Sequence, residues 1–430
     1  MTKNHTSAIR LVLGVFGGNT LEFFDATLMG FLLPHIHYVF FPTDGGGESS
    51  LSYVLFSAAY ISRPLGAYFW GWVADKYHLS RALRGSVLMM AMATLAIGLI
   101  PSHESIGIFS AFLLGVCRFV QGLSVGGEYG TASTYLYEKY KHTHLNTHIN
   151  FLNASNFMGA VLACVVSFFI VTMASWYPGG WRLAFVFSGL LGFSFFILRQ
   201  QVDVARPTMR NRHQDIDILS SGVLFRKFLR CACIGGLSAA PYMLFNIYLT
   251  NELIACFGIE TNVKILINML ICVGYMVLYP LFGILADARG HLFNMRVGSI
   301  FLCICGGVGV SIFPDAPLRT VVGLQLAVNL CAILYSSGIN TYVMDDFPEK
   351  YRCRGVTTSL TLGAALMGSA MIPIVNSFRE TGVHLQMMCS YLVFMSLIVL
   401  WIIGVPRRGE SSVRKEGSLY TKNVHIQKAS

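Results

Sequence analysis

The sequence predicts an all-α membrane protein of twelve transmembrane helices, arranged as two six-helix bundles related by pseudo-symmetry. Composition is the first reason: 54% of the 430 residues are hydrophobic and 12% charged, with a mean hydropathy of +0.59, too apolar for a water-soluble domain of this length. The second is that apolar stretches long enough to cross about 30 Å of hydrocarbon recur twelve times. The third is an internal repeat. GWVAD at Gly71 to Asp75 matches GILAD at Gly283 to Asp287 at an offset of 212, and EKYK at Glu138 to Lys141 matches EKYR at Glu349 to Arg352 at an offset of 211. Two matches at nearly one offset point to a duplicated six-helix unit.

Helix 1, residues 10–38, holds Glu22 and Asp25 on one face, since they stand one turn apart. Helix 2, 51–75, carries Arg63, and helix 3, 82–101, follows a short basic loop. Helix 4, 106–136, carries Arg118 and, like helix 2, a small-residue face, here Gly122, Gly126, Gly127 and Gly130. Helix 5, 147–174, contains NFMGA at Asn156 to Ala160. Helix 6, 181–199, opens on Trp181 and Arg182, which read as anchors at the outer surface. A polar linker, 200–222, separates the bundle of residues 1–199 from that of 223–405, and a cytoplasmic tail covers 406–430. The second bundle comprises 223–250, 262–286, 294–313, 317–344, 355–378 and 384–405.

With both termini in the cytoplasm, 25 of the 31 Lys and Arg fall in cytoplasmic segments, which fixes the orientation by the positive-inside rule. The net charge of +10 arises in these loops, particularly Arg199 to Arg230 and the tail, and reads as anchoring to anionic headgroups. No basic folded domain suggests nucleic-acid binding. The 11 cysteines are scattered without a CxxC pair and read as reduced packing residues. The first apolar stretch, with its two acids, is too long for a cleavable signal. His142, His144 and His148 lack Cys or acid ligands at suitable spacing, no nucleotide-binding glycine loop occurs, and no nucleophile–base pair stands out. Neither metal, cofactor nor enzymatic chemistry is expected.

Three stretches, GNTLEFFD at Gly18 to Asp25, SRPLGAYFWGWVAD at Ser62 to Asp75 and RFVQGLSVGGEYG at Arg118 to Gly130, make the chain resemble the metabolite:proton symporter family of the major facilitator superfamily. That family includes proline/betaine, α-ketoglutarate, citrate and shikimate transporters. In the second half the resemblance rests on GILADARG at Gly283 to Gly290 and FPEKYRCRG at Phe347 to Gly355. His78 departs from the usual Gly of the first loop signature, and Leu79 and Ser80 dilute its basic run. The tail lacks the heptads of osmosensing members. The resemblance implies alternating access in a multi-pass plasma (inner) membrane protein, with a small-molecule substrate, protons and the bilayer as partners. It further implies cytoplasmic gating by Gly71, Asp75, Arg81, Arg84, Glu128, Glu138, Gly283, Asp287, Arg352 and Arg354, the acids and bases among them bridging the bundles when the inner side is closed.

At 1.5 Å per residue, Glu22, Asp25, Arg63 and Arg118 all reach similar depth, about 18 Å into their helices. Facing lipid, these four charges would cost on the order of 10–14 kcal/mol together. They are therefore expected to line a cavity or to pair across the first bundle. Asp25 or Glu22 is the candidate proton acceptor, and Arg118 or Arg63 the candidate partner of a substrate carboxylate; a fixed ion-pair network locking helices 1, 2 and 4 is the competing structural role. The repeat maps Arg118 onto Asn329 and Arg63 onto Tyr275, so the second bundle offers uncharged groups instead: Tyr242, Asn246, Asn268, Tyr275, Asn329 and Tyr335. Helix 5 lacks the Gly/Pro-rich signature of proton-antiporting exporters. The expectation is a monomeric importer of a small carboxylate-bearing solute such as an amino acid, betaine or organic acid, driven by protons. An exporter, a carrier of larger metabolites such as siderophores, and a non-transporting receptor are the rivals.

Overall fold

The computed structural model describes residues 15–41, 50–141, 143–173, 179–200, 221–250, 252, 261–313 and 316–404. The 200–222 linker and 406–430 tail lie almost wholly outside these residues. The helices of the first half are α1 (Gly17–Phe40), α2 (Ser50–Lys76), α3 (Leu79–Leu99), α4 (Phe109–Tyr140), α5 (Leu145–Met173) and α6 (Gly180–Gln200). Those of the second half are α7 (Ser221–Pro241, continued by a π-helical turn at Tyr242–Tyr248), α8 (Thr261–Arg289), α9 (His291–Ile312) and α10 (Leu318–Ser336, then Ile339–Asp346). The last two are α11 (Arg352–Gly363, a π-helical turn Ala364–Ser369 and Met371–Ser377) and α12 (His384–Gly404). Among the described residues, ten helices are long and apolar enough to cross a membrane by length and composition alone. The other two are α1, whose polar content includes Glu22 and Asp25, and α2.

Many large apolar side chains point outward along these helices, Trp401, Ile108, Phe225 and Phe187 among them. In water such a surface would aggregate; against lipid tails it is the natural boundary. Inside, the bundles are held by close backbone approach as well as by apolar packing. On α4, Gly122 and Gly126 lie against the carbonyls of Ala59 and Arg63 in α2, each so near that an added Cβ would sit 2.0 Å away. Small residues thus let α2 and α4 meet backbone to backbone, as membrane helices commonly do.

Within the first half α2 packs on α4, α3 on α6 and α1 on α5; within the second, α7 packs on α11 and α9 on α10 and α12. Between the halves the dominant contacts are α5 with α8 and α2 with α11. The second helix of each half therefore meets the fifth helix of the other, as a two-fold relation between parallel repeats requires. Helices α3 and α6 stand on the far side of the first bundle from this seam.

Of the two residues expected to be interfacial anchors, Trp181 belongs to the interior, whereas Arg182 is half-buried at the start of α6. Trp181 is buried against Phe40, with ring centroids 5.7 Å apart, and beside Phe185. Arg182 lies over the Trp181 ring and donates to the carbonyls of Gly98 and Ile100 at the end of α3, where a cation answers both the orphan carbonyls and the helix dipole.

α10 is broken at Ser337 and Gly338, which the apolar pattern alone does not foretell. The break is satisfied from both halves: Asn150 of α5, across the seam, donates to the Ser337 carbonyl at 2.8 Å, while Asn294 of α9, in the same half, donates to the Ser337 hydroxyl at 2.8 Å. Irregular backbone at this depth persists only with such partners.

Candidate functional site

At mid-depth in the first bundle, a chain of donors runs from Arg118 to Asp25. Arg118 Nη1 donates to Gln121 Oε1 at 2.8 Å, Gln121 Nε2 to Thr94 Oγ1 at 2.8 Å, and Thr94 Oγ1 to Asp25 Oδ2 at 2.7 Å. Ser188 donates to the other oxygen, Oδ1. Every donor points toward the carboxylate, so the cation at one end and the anion at the other polarise the chain in the same sense. Arg118, Gln121, Thr94 and Asp25 are all buried. Of the two arrangements expected, lining a cavity or pairing across the first bundle, Asp25 takes the second in this conformation: it is bound by Thr94 of α3 and Ser188 of α6.

Glu22, one turn before Asp25, is also buried, and its Oε2 has no hydrogen-bond partner. Arg63, Arg199, Glu128 and Asp25 are the charges that act on it. Arg63 is half-buried on α2, on the helix face that meets Gly126 through its carbonyl.

The neutral counterpart lies across the second bundle. Asn246 and Asn329 exchange two hydrogen bonds, each of 2.8 Å, and Tyr275 donates to Asn329 Oδ1 at 2.6 Å. The π-helical turn in α7 carries both Tyr242 and Asn246; such turns re-aim side chains and concentrate at functional sites. Tyr242 and Tyr275 then meet Phe157 of α5. Phe157 stacks on Tyr275 at 4.3 Å and on Tyr279 at 5.7 Å, and meets Tyr242 edge-on at 5.8 Å. This aromatic cluster ties α5 to α7 and α8 halfway along the seam.

Two of the neutral candidates fall outside that arrangement. Tyr335 is buried in the core of the second bundle, donates to the Ile234 carbonyl at 2.9 Å and packs on Gly298; its depth along α10 is right but its facing is inward. Asn268 accepts from the Cys272 thiol one turn along α8 and does not join the Asn246–Asn329 pair.

One end of the seam is closed by two equivalent contacts. Asp75, at the end of α2, accepts from the backbone N–H groups of Cys353 and Arg354 at 3.2 and 3.0 Å, at the start of α11. Asp287, at the end of α8, accepts from the backbone N–H groups of Asn146 and Thr147, both at 2.9 Å, at the start of α5, and from both their side chains. Each acid serves as the N-terminal cap of a helix in the opposite half, where orphan N–H groups and the dipole favour an anion. One turn earlier, the glycine of the repeated motif makes the approach possible. A Cβ on Gly71 would lie 2.6 Å from Arg354 Cα, and one on Gly283 2.9 Å from Asn150 Cβ and 3.0 Å from the Asn146 carbonyl.

Around these caps, Arg352 lies over the Tyr137 ring at 5.1 Å and Arg354 over Tyr68 at 5.6 Å, both across the seam, with Glu138 facing Arg352. Other gating candidates take local partners. Arg81 is exposed over its neighbour Tyr77, and Arg84 bonds back to the Ser80 carbonyl at 3.1 Å. Glu128 is buried within the first bundle, paired to Arg199 and accepting from Ser86 at 2.6 Å. Its side chain faces α3 and α6, whereas its neighbours Tyr129 and Gly130 face the other half. Arg199, read from sequence as a loop cation at the headgroups, is therefore also an interior residue.

Several members of the seam carried no sequence signal beyond being polar in an apolar helix. Tyr129 accepts from Asn340 at 2.7 Å, Thr341 donates to Asn146 at 2.6 Å, and Tyr137 donates to Asp345 at 2.5 Å, each joining the two halves. Gln121 could have been found from its position three residues after Arg118 on one helical face.

The Major Facilitator Superfamily profile matches residues 15–373. The chain belongs to the major facilitator superfamily. It is 26% identical over 410 residues to the alpha-ketoglutarate permease of Escherichia coli K12, covering 91% of this chain and 92% of that one. It is 31% identical over 403 residues to the proline/betaine transporter of Salmonella typhimurium, covering 89% and 80%. To the citrate-proton symporter of Klebsiella pneumoniae it is 24% identical over 384 residues, covering 86% and 85%. These relatives put it in the metabolite:proton symporter family. A double-Trp mutant of XylE has the same fold, with a TM-score of 0.78, 15% identity and coverage of 94% and 96%. The chain is thus a multi-pass membrane protein with the major facilitator fold, a solute transporter and not an enzyme.

Proposed function

We propose that this transporter imports a small carboxylate-bearing solute, driven by protons, by alternating access between the two bundles. The observation that carries the reading is the buried chain from Arg118 through Gln121 and Thr94 to Asp25. A guanidinium is thereby held at mid-depth with its orientation fixed, suited to a bidentate carboxylate partner. α-Ketoglutarate, proline, betaine and citrate, the solutes named for the relatives, all bear a carboxylate. The uncharged Asn246–Asn329–Tyr275 group on the facing bundle would receive the remainder of the solute, and Asp25 and Glu22 would provide the proton-linked charge.

In the closed inner side described above, Asp75 and Asp287 serve as latches that part when the cytoplasmic side opens. Residues 1–199 and 223–405 are the two moving units, both termini are cytoplasmic on the charge count, and one chain suffices as the working unit in the plasma (inner) membrane.

The test is uptake into proteoliposomes with an imposed pH gradient, using glycine betaine, L-proline, 2-oxoglutarate and citrate. An inward proton gradient should drive accumulation of at least one of them, and a protonophore should abolish it. Arg118→Ala should lose that uptake while remaining folded. Uptake indifferent to the proton gradient, or undiminished in the Arg118 variant, would overturn the reading.

A further inference from the structure

The interior of the first bundle contains a second line of charge that the solute site does not use. Between α1, α3 and α4 lies a small cavity with room for about one water molecule, bordered by Glu22 and Ser124 and, on the cytoplasmic side, by Glu128. Glu22, whose Oε2 is buried and without a hydrogen-bond partner, belongs to this lining. Asp25 differs: both its oxygens accept, from Ser188 and Thr94. An unpartnered buried carboxyl oxygen is far cheaper neutral than charged, so of the two acids Glu22 is the one built to hold a proton in this conformation.

Beyond the cavity, Glu128 is gripped at both oxygens by Arg199, with Nη1 at 2.9 Å from Oε2, and it also accepts from Ser86. Arg199 occupies the last turn of α6, the cytoplasmic end of that helix. Ser124 donates to the Ser86 carbonyl at 2.5 Å, so the cavity wall is joined to the same network.

We propose that protons pass from Glu22 through one water to Glu128 and out beside Arg199, inside the first bundle and apart from the solute's path along the seam. This rests on the proton-coupled reading given above. In the transfer, the O–H bond of the Glu22 carboxyl breaks as its proton goes to the water, and an O–H bond of that water breaks as its proton goes to Glu128. Glu22 becomes an anion near Arg63, and Glu128 becomes neutral. A neutral Glu128 leaves the buried Arg199 cation uncompensated, an unfavourable state that is relieved when the proton is lost to cytoplasmic water and the ion pair re-forms.

The test uses purified full-length protein in proteoliposomes with an entrapped pH-sensitive dye, so that proton entry and uptake of glycine betaine, L-proline, 2-oxoglutarate and citrate are read separately. Glu128→Gln should cut gradient-driven accumulation and solute-linked proton entry at least tenfold while leaving solute counterflow, which needs no net proton movement. Ser124→Leu, which fills the cavity, should do the same. If the Glu128–Arg199 pair were only structural, the joint variant Glu128→Gln/Arg199→Gln would restore accumulation; on this proposal it does not. A solute-independent check is the infrared band of a protonated buried carboxyl, expected to vanish in Glu22→Gln and to shift in Glu128→Gln. Normal proton entry in Glu128→Gln and Ser124→Leu would remove the route while leaving proton coupling intact. A wild-type protein that moves solute without protons would remove both.

Discussion

Asp75 and Arg354 come from opposite halves of the chain, yet the Asp75 carboxylate accepts a 3.0 Å hydrogen bond from the Arg354 backbone N–H. The acid ends α2 and the amide begins α11, so the contact exists only while these two helix ends are together. Because it acts on backbone, it is indifferent to which side chain occupies 354. Asp75→Ala should remove about 0.5–2 kcal/mol of cap stabilisation from the inner-closed form alone and shift the population toward inward-open, by up to tens of fold. Spin-label distances between the end of α2 and the start of α11 would report it. An unchanged distance distribution would count against the latch.

Gly71 and Gly283 give a steric version of that experiment. With Arg354 Cα 2.6 Å from a Cβ on Gly71, Gly71→Val should prevent the inner ends from meeting and abolish uptake, since backbone cannot yield as a side chain end can. The protein should stay folded, because the clash lies between bundles and not within one. Gly283→Val should behave alike. Solute uptake alongside thermal unfolding in detergent separates the two effects.

The Arg118 relay makes a graded prediction. Thr94→Val keeps the shape but removes the hydroxyl that joins Gln121 to Asp25, leaving one Asp25 oxygen and the Gln121 amide short of a partner, at about 1–3 kcal/mol. Arg118 loses its orientation but not its charge, so KM for solute should rise about tenfold with little change in the amount of folded protein. Arg118→Lys, which keeps the charge and loses the fork, should be worse than Thr94→Val.

In the second bundle, Asn329→Leu strands both the Asn246 amide and the Tyr275 hydroxyl, whereas Asn246→Leu/Asn329→Leu strands only Tyr275. The double variant should therefore be less destabilised than the sum of the singles, by about 1 kcal/mol or more. Thermal unfolding of the four proteins completes the cycle, and additivity would argue that the pair is not coupled.

The twelve spans, the repeat and the identity of the end caps were legible because each is a matter of spacing along the chain: hydrocarbon thickness sets helix length, and GxxxD sets a glycine one turn before an acid. Facing was harder. Tyr335 and Asn329 stand on one helix at neighbouring depths, but Tyr335 turns into the core and Asn329 into the pair with Asn246. Arg199 was legible only as a loop cation at the headgroups, since its partner Glu128 is 71 residues away and no local pattern links them. The π-helical turn that carries Tyr242 and Asn246 shifts the register of α7, which a regular 3.6-residue period cannot anticipate. Phe157 looked like one more apolar residue of helix 5 until three tyrosines were seen around it.

On the alternating access proposed above, the interruption of α10 has a consequence for the order of events when the two halves part. The carbonyl of Ser337 is served by an amide from the other half of the chain, so separation strips it of its donor, and only a water molecule can take the vacated place without a penalty of about 1–3 kcal/mol. Wetting of the inner vestibule must therefore accompany the first ångströms of parting, and drying of that same spot must accompany the last ångströms of return.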